Sequence, residues 1–570
     1  MESLTYDELM ETYDYNEIYE CSPCVKCINF TRLMYLIINE SNIDNGHSVI
    51  ANYLLENVNE INNVNELGWT ALMLACCKSQ FFDNYRTIKL LIKLGADVNS
   101  ESIHKCTPLF ISCKYQNIRV IKLLIKVGAN INSQNVKEYT PLFIACRFSY
   151  YNDSYEIIKL LLKRGARVDL IGNEKISVLL IASRFTKYAK IIKLLLKAGA
   201  NINQQDIYGQ SALYSSIHGL GSKNTTNIDV VRKLINAGID VNLQTNQGYT
   251  TLIYVCNSCN SENNFEVIKL LLNAKCNVNL QTNDGLTALI IAIKYIGAKN
   301  NVECIKLLLQ AGSNPNIQTN KGWSALMMLC RFSDIENNLE ILKLLLNAKC
   351  KINLQNNGGW SALMMATKYI NSINNVEFIK LLLQAGSNCN TQTKEGWTAL
   401  MLLFNNENKD TIIEIVHLFL QHNINLNLVL NKTKESSLIL VKNIHKYSIE
   451  KKVSRILLCS GADPNLITLS GYKFIDYVKP SKKKYFIRLI DQIEAQKKLI
   501  KNSLPLIIHN FNLIMFKPKT MQYNLLMIKF SEKNYNYCCS HFREMLNYFQ
   551  IYDEESFDFK MNDVLKYLYY

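Results

Sequence analysis

The chain has 570 residues, 48% hydrophobic and 19% charged. That balance excludes a disordered chain, and the length excludes a single compact core, leaving several domains or a repeat array. The formal charge of +15 comes from 63 basic and 48 acidic residues in a composition rich in Asn, Lys, Ile and Tyr; that composition explains much of the excess, so a basic nucleic-acid-associated protein is only the third reading.

Residues 1–30 read as an acidic, Tyr-rich lead helix followed by a capping unit, with seven Asp or Glu and no Lys or Arg in the first 20 positions. The opening MESLTYDELM has neither a basic nor an apolar region of the kind a secretory signal needs. The longest apolar runs, such as SLPLIIHNFNLIMF (503–516), are too short and interrupted to span a bilayer. No membrane association is expected, and the 18 cysteines suit a reducing, intracellular compartment if disulfides are not their purpose. Cys21, Cys24 and Cys27 in CSPCVKC have thiolate-like spacing. A closed zinc site also needs a fourth ligand and a partner knuckle, and neither is near in sequence, so these read as ordinary thiols and no metal site is expected.

Beyond residue 30 the chain repeats itself. A Thr or Ser opening a TAL, SAL or TPL-like tripeptide recurs at Thr70, Thr107, Thr140, Ser177, Ser211, Thr250, Thr287, Ser324, Ser361 and Thr398. The steps are 37, 33, 37, 34, 39, 37, 37, 37 and 37 residues, with weaker echoes at Thr31, Ser436 and Lys473. After each marker comes a short apolar run, such as LFIACRFS (142–149), then one of strong helical spacing, such as YEIIKLLLKRGA (155–166). In the second run Ile157, Leu160 and Leu161 are expected to share one stripe, flanked by Ile158 and Leu162. Gly165 sits where a helix ends in a left-handed residue. A turn-rich stretch such as VNLQTNQGYT (241–250) then leads into the next unit. Units of this size cannot bury their apolar faces alone, so they must stack.

GWTALMLACC with LLIKLGADVN, and EYTPLFIACRF with LLLKRGARVD, resemble the ankyrin-repeat family. The resemblance covers roughly residues 31–478 and implies an all-α ankyrin-repeat solenoid. It has about ten clear units (about 65–430) and two to three degenerate helix-turn-helix units, joined by hairpin turns. Two departures stand out. The family's His after TPL is replaced by Met, Phe, Ile or Leu, and the 33-residue unit survives only from Thr107 to Thr140. The extra residues fall at the turn between helices, where doubling a loop costs only about 0.6 kcal/mol. Asn-rich units of 37 residues are similar to those of the multi-copy ankyrin proteins of giant DNA viruses that infect amoebae, which implies a host-cytoplasmic setting.

The register accounts for most cysteines. Cys76, Cys113, Cys146, Cys256 and Cys330 lie six residues after their markers, where a small buried residue belongs. Cys276 and Cys350 share another address beside Lys275 and Lys349, which replace the helix-ending Gly. The eight histidines fall at unrelated repeat positions, and no phosphate loop, metalloprotease helix or nucleophile elbow is present. No catalytic residues, enzyme activity or cofactors are expected.

In the family the residue before the marker faces the concave side of the array. Here that row is Trp69, Cys106, Tyr139, Ile176, Gln210, Tyr249, Leu286, Trp323, Trp360, Trp397 and Tyr472, so all four tryptophans share one register. A second row, seven and eight residues past the marker, places a basic residue before an aromatic six times, among them Lys294–Tyr295, Arg331–Phe332 and Lys368–Tyr369. Arg beside Trp or Tyr is enriched in interface hot spots. Either these side chains pack within the array, or they form a protein-binding face. The expected face consists of Trp69, Tyr139, Tyr249, Trp323, Trp360 and Trp397, with Lys294, Arg331 and Lys368 at its margin. Its partner would have an acidic, partly apolar surface.

Residues 479–501 read as a basic capping helix, and 502–570 as a small appendage, α+β or helical. The Leu-Pro start of SLPLIIHNFNLIMF is weakly similar to the F-box-like ends of some viral ankyrin proteins. The alternative function is therefore a substrate adaptor that recruits ubiquitin-ligase subunits through 502–570.

Overall fold

The computed structural model describes residues 31–38, 40, 46–79, 84–149, 154–186, 188–217, 227–257, 262–295, 300–331, 337–369, 374–405, 411–444, 447–495 and 498. The segment 1–30, with its three closely spaced cysteines, and the stretch 502–570 lie outside the described residues. From Thr31 to Lys473 the markers open repeats numbered here 1 to 13. From repeat 2 on, each repeat is a finger followed by an inner and an outer helix, and no strand longer than an isolated bridge occurs among the described residues.

The marker is a helix N-cap. Thr70, Thr140, Ser177 and Thr398 are extended, and their hydroxyls accept the backbone N–H three residues on, from Met73, Phe143, Leu180 and Met401. Such a cap contributes about 1 kcal/mol. The inner helices it opens are short, for example Pro108–Lys114 and Ala325–Arg331, and almost wholly buried. The outer helices are longer and amphipathic: Tyr85–Lys93, Ile118–Lys126, Ser154–Lys163 and Ala189–Lys197 in repeats 2 to 5. In Ser154–Lys163 the buried apolar residues are Ile157, Ile158 and Leu161. This corrects the expected stripe, because Leu160 lies half-exposed where outer helices flank one another.

Insertions sit where the sequence places them. Three residues separate the helices of repeat 3, which end at Lys114 and begin at Ile118, whereas in repeat 4 the gap runs from Arg147 to Ser154. Outer helices of repeats 2 to 10 and 12 close on a left-handed residue, such as Gly165 (φ +90°). Lys275 and Lys349 hold the same conformation at φ 56° and 55°, each at a cost of about 1 kcal/mol relative to glycine.

The fingers are more ordered than a turn-rich sequence suggests. Two residues before each marker from repeat 2 to repeat 13 the backbone is left-handed, whether the residue is Gly (Gly68, Gly285) or not (Lys105, Glu138, Lys175, Lys434). The expected hairpin reduces to one antiparallel bridge, as between Gln244 and Thr250. Asparagine and glutamine join one finger to the next. Gln244 Nε2 donates to Gly248 O at 2.7 Å in its own finger and to Gln281 O at 2.9 Å in the next. Asn283 Nδ2 donates back to Asn246 O at 2.8 Å, and Asn320 Nδ2 to Asn283 O at 2.7 Å. After the outer helices, Asn279 donates to Gly312 O at 3.1 Å and accepts from Asn314 N at 2.7 Å. The abundant asparagine thus satisfies backbone groups that loops would otherwise leave to water.

The chain divides into two compact units between Lys351 and Ile352. In the first, outer helices pack on one another in succession from repeat 1 to repeat 9; in the second, inner helices do so from repeat 10 to repeat 13. Residues 480–495 are helical. Buried cysteines fill the inner layer: burial pushes the Cys76 thiol up to about 12, and those of Cys113, Cys146 and Cys330 higher still. Such thiols stay protonated and act as small apolar side chains.

One carboxylate sits awkwardly in this scheme. Five residues before the marker a side chain caps the finger, accepting the backbone N–H of the residue before the marker. It is Asn65 in repeat 2, Asn135 in repeat 4 and Asp206 in repeat 6. Burial pushes the Asp206 carboxyl up to about 6, against the lowering effect of the two N–H groups it accepts from Gln210 and Tyr208. Its folded pKa exceeds the unfolded value of about 3.9, so its stabilising protonated form is lost as pH rises from about 4 through about 6. Asp206→Asn keeps the acceptor and removes the charge. The unfolding free energy of the variant, from urea titration, should match the parent at pH 4 and exceed it above pH 6 by about 1–2 kcal/mol after discounting for partial exposure, with a higher urea midpoint. Equal midpoints at pH 8 would show that the carboxylate is tolerated without cost.

Candidate partner-binding surface

The finger and the inner helix bring the two sequence rows together. The residue before the marker leaves the finger just as the chain turns into the inner helix, and the residue seven past the marker ends that helix. In repeat 9 the Arg331 guanidinium lies over the Trp323 ring, 5.7 Å from its centroid. In repeat 10 the Lys368 ammonium lies 4.6 Å from the centroid of Trp360 and 5.7 Å from that of Tyr369. Both indoles are half-buried and both cations exposed. The cation covers a ring face and restricts its rotamers, an interaction of about 0.5–1 kcal/mol at exposed sites. Gly358 permits the pose of Trp360, since a Cβ there would stand 3.1 Å from the indole Cδ1.

The other expected members behave differently. Trp69 is 1% exposed, so it cannot meet a partner, and its place in the binding face is corrected to the core. The reason lies in its surroundings: the position seven past its marker is Cys77, and the next finger presents Cys106, both small, apolar and buried. Tyr139 is half-buried and stacks on Phe143 of its own inner helix, centroids 4.0 Å apart, with its ring edge against Gly172 of the following finger. Tyr249 is half-buried, and burial pushes its phenol pKa up. Trp397 is also half-buried, but the residue at the cation position of its repeat is the neutral Asn405. Lys294 is exposed and lies over its neighbour Tyr295 at 5.2 Å, so it serves the second row rather than the first. Phe332 lies outside the described residues.

Several second-row aromatics are braced within the array. Phe185 has Arg184 of its own helix at 5.6 Å and Arg147 of the preceding repeat at 5.1 Å. The sequence reading missed two sets of residues. The glutamines six before the marker (Gln205, Gln244, Gln281, Gln318, Gln355, Gln392) were legible through their strict recurrence, as was the N-cap role of the marker itself. No group of three His, Cys, Asp or Glu side chains that could hold a metal occurs among the described residues.

The family described as "Ankyrin repeats (3 copies)" matches overlapping stretches at residues 31–102, 80–171, 149–242, 220–319 and 295–392, well over half of the chain. The chain belongs to the ankyrin-repeat family. Ankyrin repeats are in general protein–protein interaction modules, and the family's members are typically non-catalytic scaffolds. Among curated ankyrin proteins, the chain is 28% identical over 246 residues to "Putative ankyrin repeat protein L86" of Acanthamoeba polyphaga mimivirus, covering 43% of this chain and 32% of that one. It is 51% identical over 76 residues to "Putative ankyrin repeat protein L122" of the same virus, covering 13% and 12%. It is 41% identical over 95 residues to the virus's "Putative ankyrin repeat protein L91", covering 16% and 15%. These alignments span about a third or less of the ankyrin relatives' own lengths. No helix among the described residues is long and apolar enough to cross a membrane.

Proposed function

We propose that this ankyrin protein is a non-catalytic scaffold that binds a protein through half-exposed aromatics at the finger–helix junction and the cations beside them. The observation that carries the reading is the pairing of Arg331 with Trp323 and of Lys368 with Trp360. Each pair offers an apolar ring edge next to a positive charge. The complementary surface is acidic and partly apolar, and Trp397 and Tyr249 extend the same register in their own repeats. Arg331 and Trp323 belong to one compact unit, Lys368 and Trp360 to the other, so each pair is read as a contact point in its own right.

The test is recovery of partners from host-cell lysate with the full chain and with a variant combining Trp323→Ala, Trp360→Ala and Trp397→Ala. Hot-spot residues each contribute about 2 kcal/mol or more. A specific partner should therefore be lost at least about tenfold while circular dichroism stays unchanged. Unchanged recovery would refute the reading. If ubiquitin-ligase subunits are recovered and vanish only when 502–570 is deleted, the adaptor alternative replaces it.

A further inference from the structure

Positive charge is concentrated on the outer helices of repeats 2 to 5. In the outer helices three register positions point outward: one fixed Lys or Arg, the residue three before it, and the residue four after it. The fixed position is Lys89, Lys122, Lys159 and Lys193 in repeats 2 to 5, and it stays Lys or Arg in repeats 6 to 10. The position four later is Lys93, Lys126, Lys163 and Lys197 in repeats 2 to 5, but Asn236, Asn273, Gln310, Asn347 and Gln384 in repeats 6 to 10. The position three earlier is Arg86, Arg119, Glu156 and Lys190, then acidic in repeats 6 to 10, from Asp229 to Glu377. All of these basic side chains in repeats 2 to 5 are exposed.

The later repeats are an internal control. There the outer lysine pairs with the glutamate three residues before it, Lys269–Glu266 at 3.8 Å, Lys306–Glu303 at 3.6 Å and Lys380–Glu377 at 3.3 Å. Solubility and helix formation are met there by a nearly neutral face. Repeats 2 to 5 instead place like charges at helical spacing, which works against helix stability. Their only acidic outer-helix residue is Glu156, which pairs with Lys159 at 3.7 Å. The four helices pack side by side within one compact unit, so their cations form a field about 30 Å by about 10 Å.

We propose that this outer face of repeats 2 to 5 binds the phosphate backbone of nucleic acid without reading its sequence. Among anionic partners the composition of the face favours this one. It is mostly lysine, a point charge suited to phosphate, and lacks the apolar centre of a stable protein interface. Apart from Val127, which caps the outer helix of repeat 3, the exposed large apolar residues of these repeats lie off the outer helices, as Ile103 and Val136 of the fingers do, too little apolar surface to insert into a bilayer. Its aromatics are covered by cations, Tyr85 by Arg119 at 4.8 Å and Tyr155 by Lys190 at 4.2 Å, and so brace the charges instead of stacking on bases. About 30 Å of duplex carries roughly 18 phosphates, enough for every lysine of the field to find one.

The experiment titrates a labelled duplex of about 25 base pairs and mixed sequence with the full chain, over a series of salt concentrations. A variant combining Lys93→Gln, Lys126→Gln, Lys163→Gln and Lys197→Gln installs the residue type that Gln310 and Gln384 already hold at this register, so the fold is kept. The parent should bind with a steep salt dependence. The variant should bind at least about tenfold more weakly at 0.1 M salt, with the slope of log K against log salt shallower by about 2–4. Absence of duplex binding by the parent at low salt, or equal affinity and slope in the variant, overturns the proposal. Binding to vesicles of acidic phospholipid but not to duplex overturns it in favour of a membrane. Competition by polyglutamate as effective as by duplex overturns it in favour of an acidic protein.

Discussion

Trp69→Ala should be the most damaging single change among the four tryptophans, costing about 3–5 kcal/mol. The side chain is wholly buried in repeat 2, so its removal leaves a cavity that the capped finger and the inner helix Ala71–Lys78 cannot fill without losing their hydrogen bonds. Asn65 Oδ1 accepts from Trp69 N at 2.9 Å and from Leu67 N at 3.0 Å, which fixes the finger backbone around the ring. Trp69 Nε1 has no hydrogen-bond partner among the described residues, so the indole is retained for its volume. Trp69→Phe should accordingly recover most of the loss. Trp397→Ala, at a half-buried position of the same register, should cost less than half as much. The measurement is urea unfolding followed by circular dichroism, with local hydrogen exchange because repeat arrays can lose two-state behaviour. Equal costs at Trp69 and Trp397 would contradict the burial assigned here.

Gly285→Ala is expected to cost about 2–4 kcal/mol, combining left-handed strain with overpacking. Gly285 has φ +81°, and a Cβ there would stand 2.7 Å from Asn320 N and 2.8 Å from Thr319 Cα, both backbone atoms of the next finger. That finger is held by Asn320 N donating to Asp284 O at 3.0 Å and Asn320 Nδ2 donating to Asn283 O. A methyl group must push the two fingers apart and break these bonds. Gly312 provides the comparison. It has φ +89°, but a Cβ there meets nothing within 4 Å, so Gly312→Ala should cost only about 1 kcal/mol. Faster hydrogen exchange at Asn320 in the Gly285 variant alone would locate the damage between fingers. Indistinguishable effects of the two substitutions would mean that finger contact contributes little.

The two comparisons show where the sequence was informative. Its period placed the apolar helices, the buried cysteines and the insertions between helices, because each of these is a local requirement restated in every unit. It also placed four tryptophans in one register. It could not say that Trp69 is core while Trp323, Trp360 and Trp397 are half-buried, since burial depends on what surrounds each ring, here Cys77 of the same repeat and Cys106 of the next finger. Asparagine looked like compositional bias, and its amides proved to span from one repeat to the next. The outer-face charge was visible residue by residue, but as a sum over the chain it was diluted by later repeats in which glutamate accompanies each lysine.

The sequence by itself determined the repeat, the helical class and the ankyrin family, because phase and capping are written within each unit of about 37 residues. Only the tertiary structure decided which aromatic is buried, which cation lies over which ring, and which lysines share a face. Those outcomes depend on distances between residues far apart in sequence, within a folded unit or between stacked ones, and a chain specifies such distances only once it has folded.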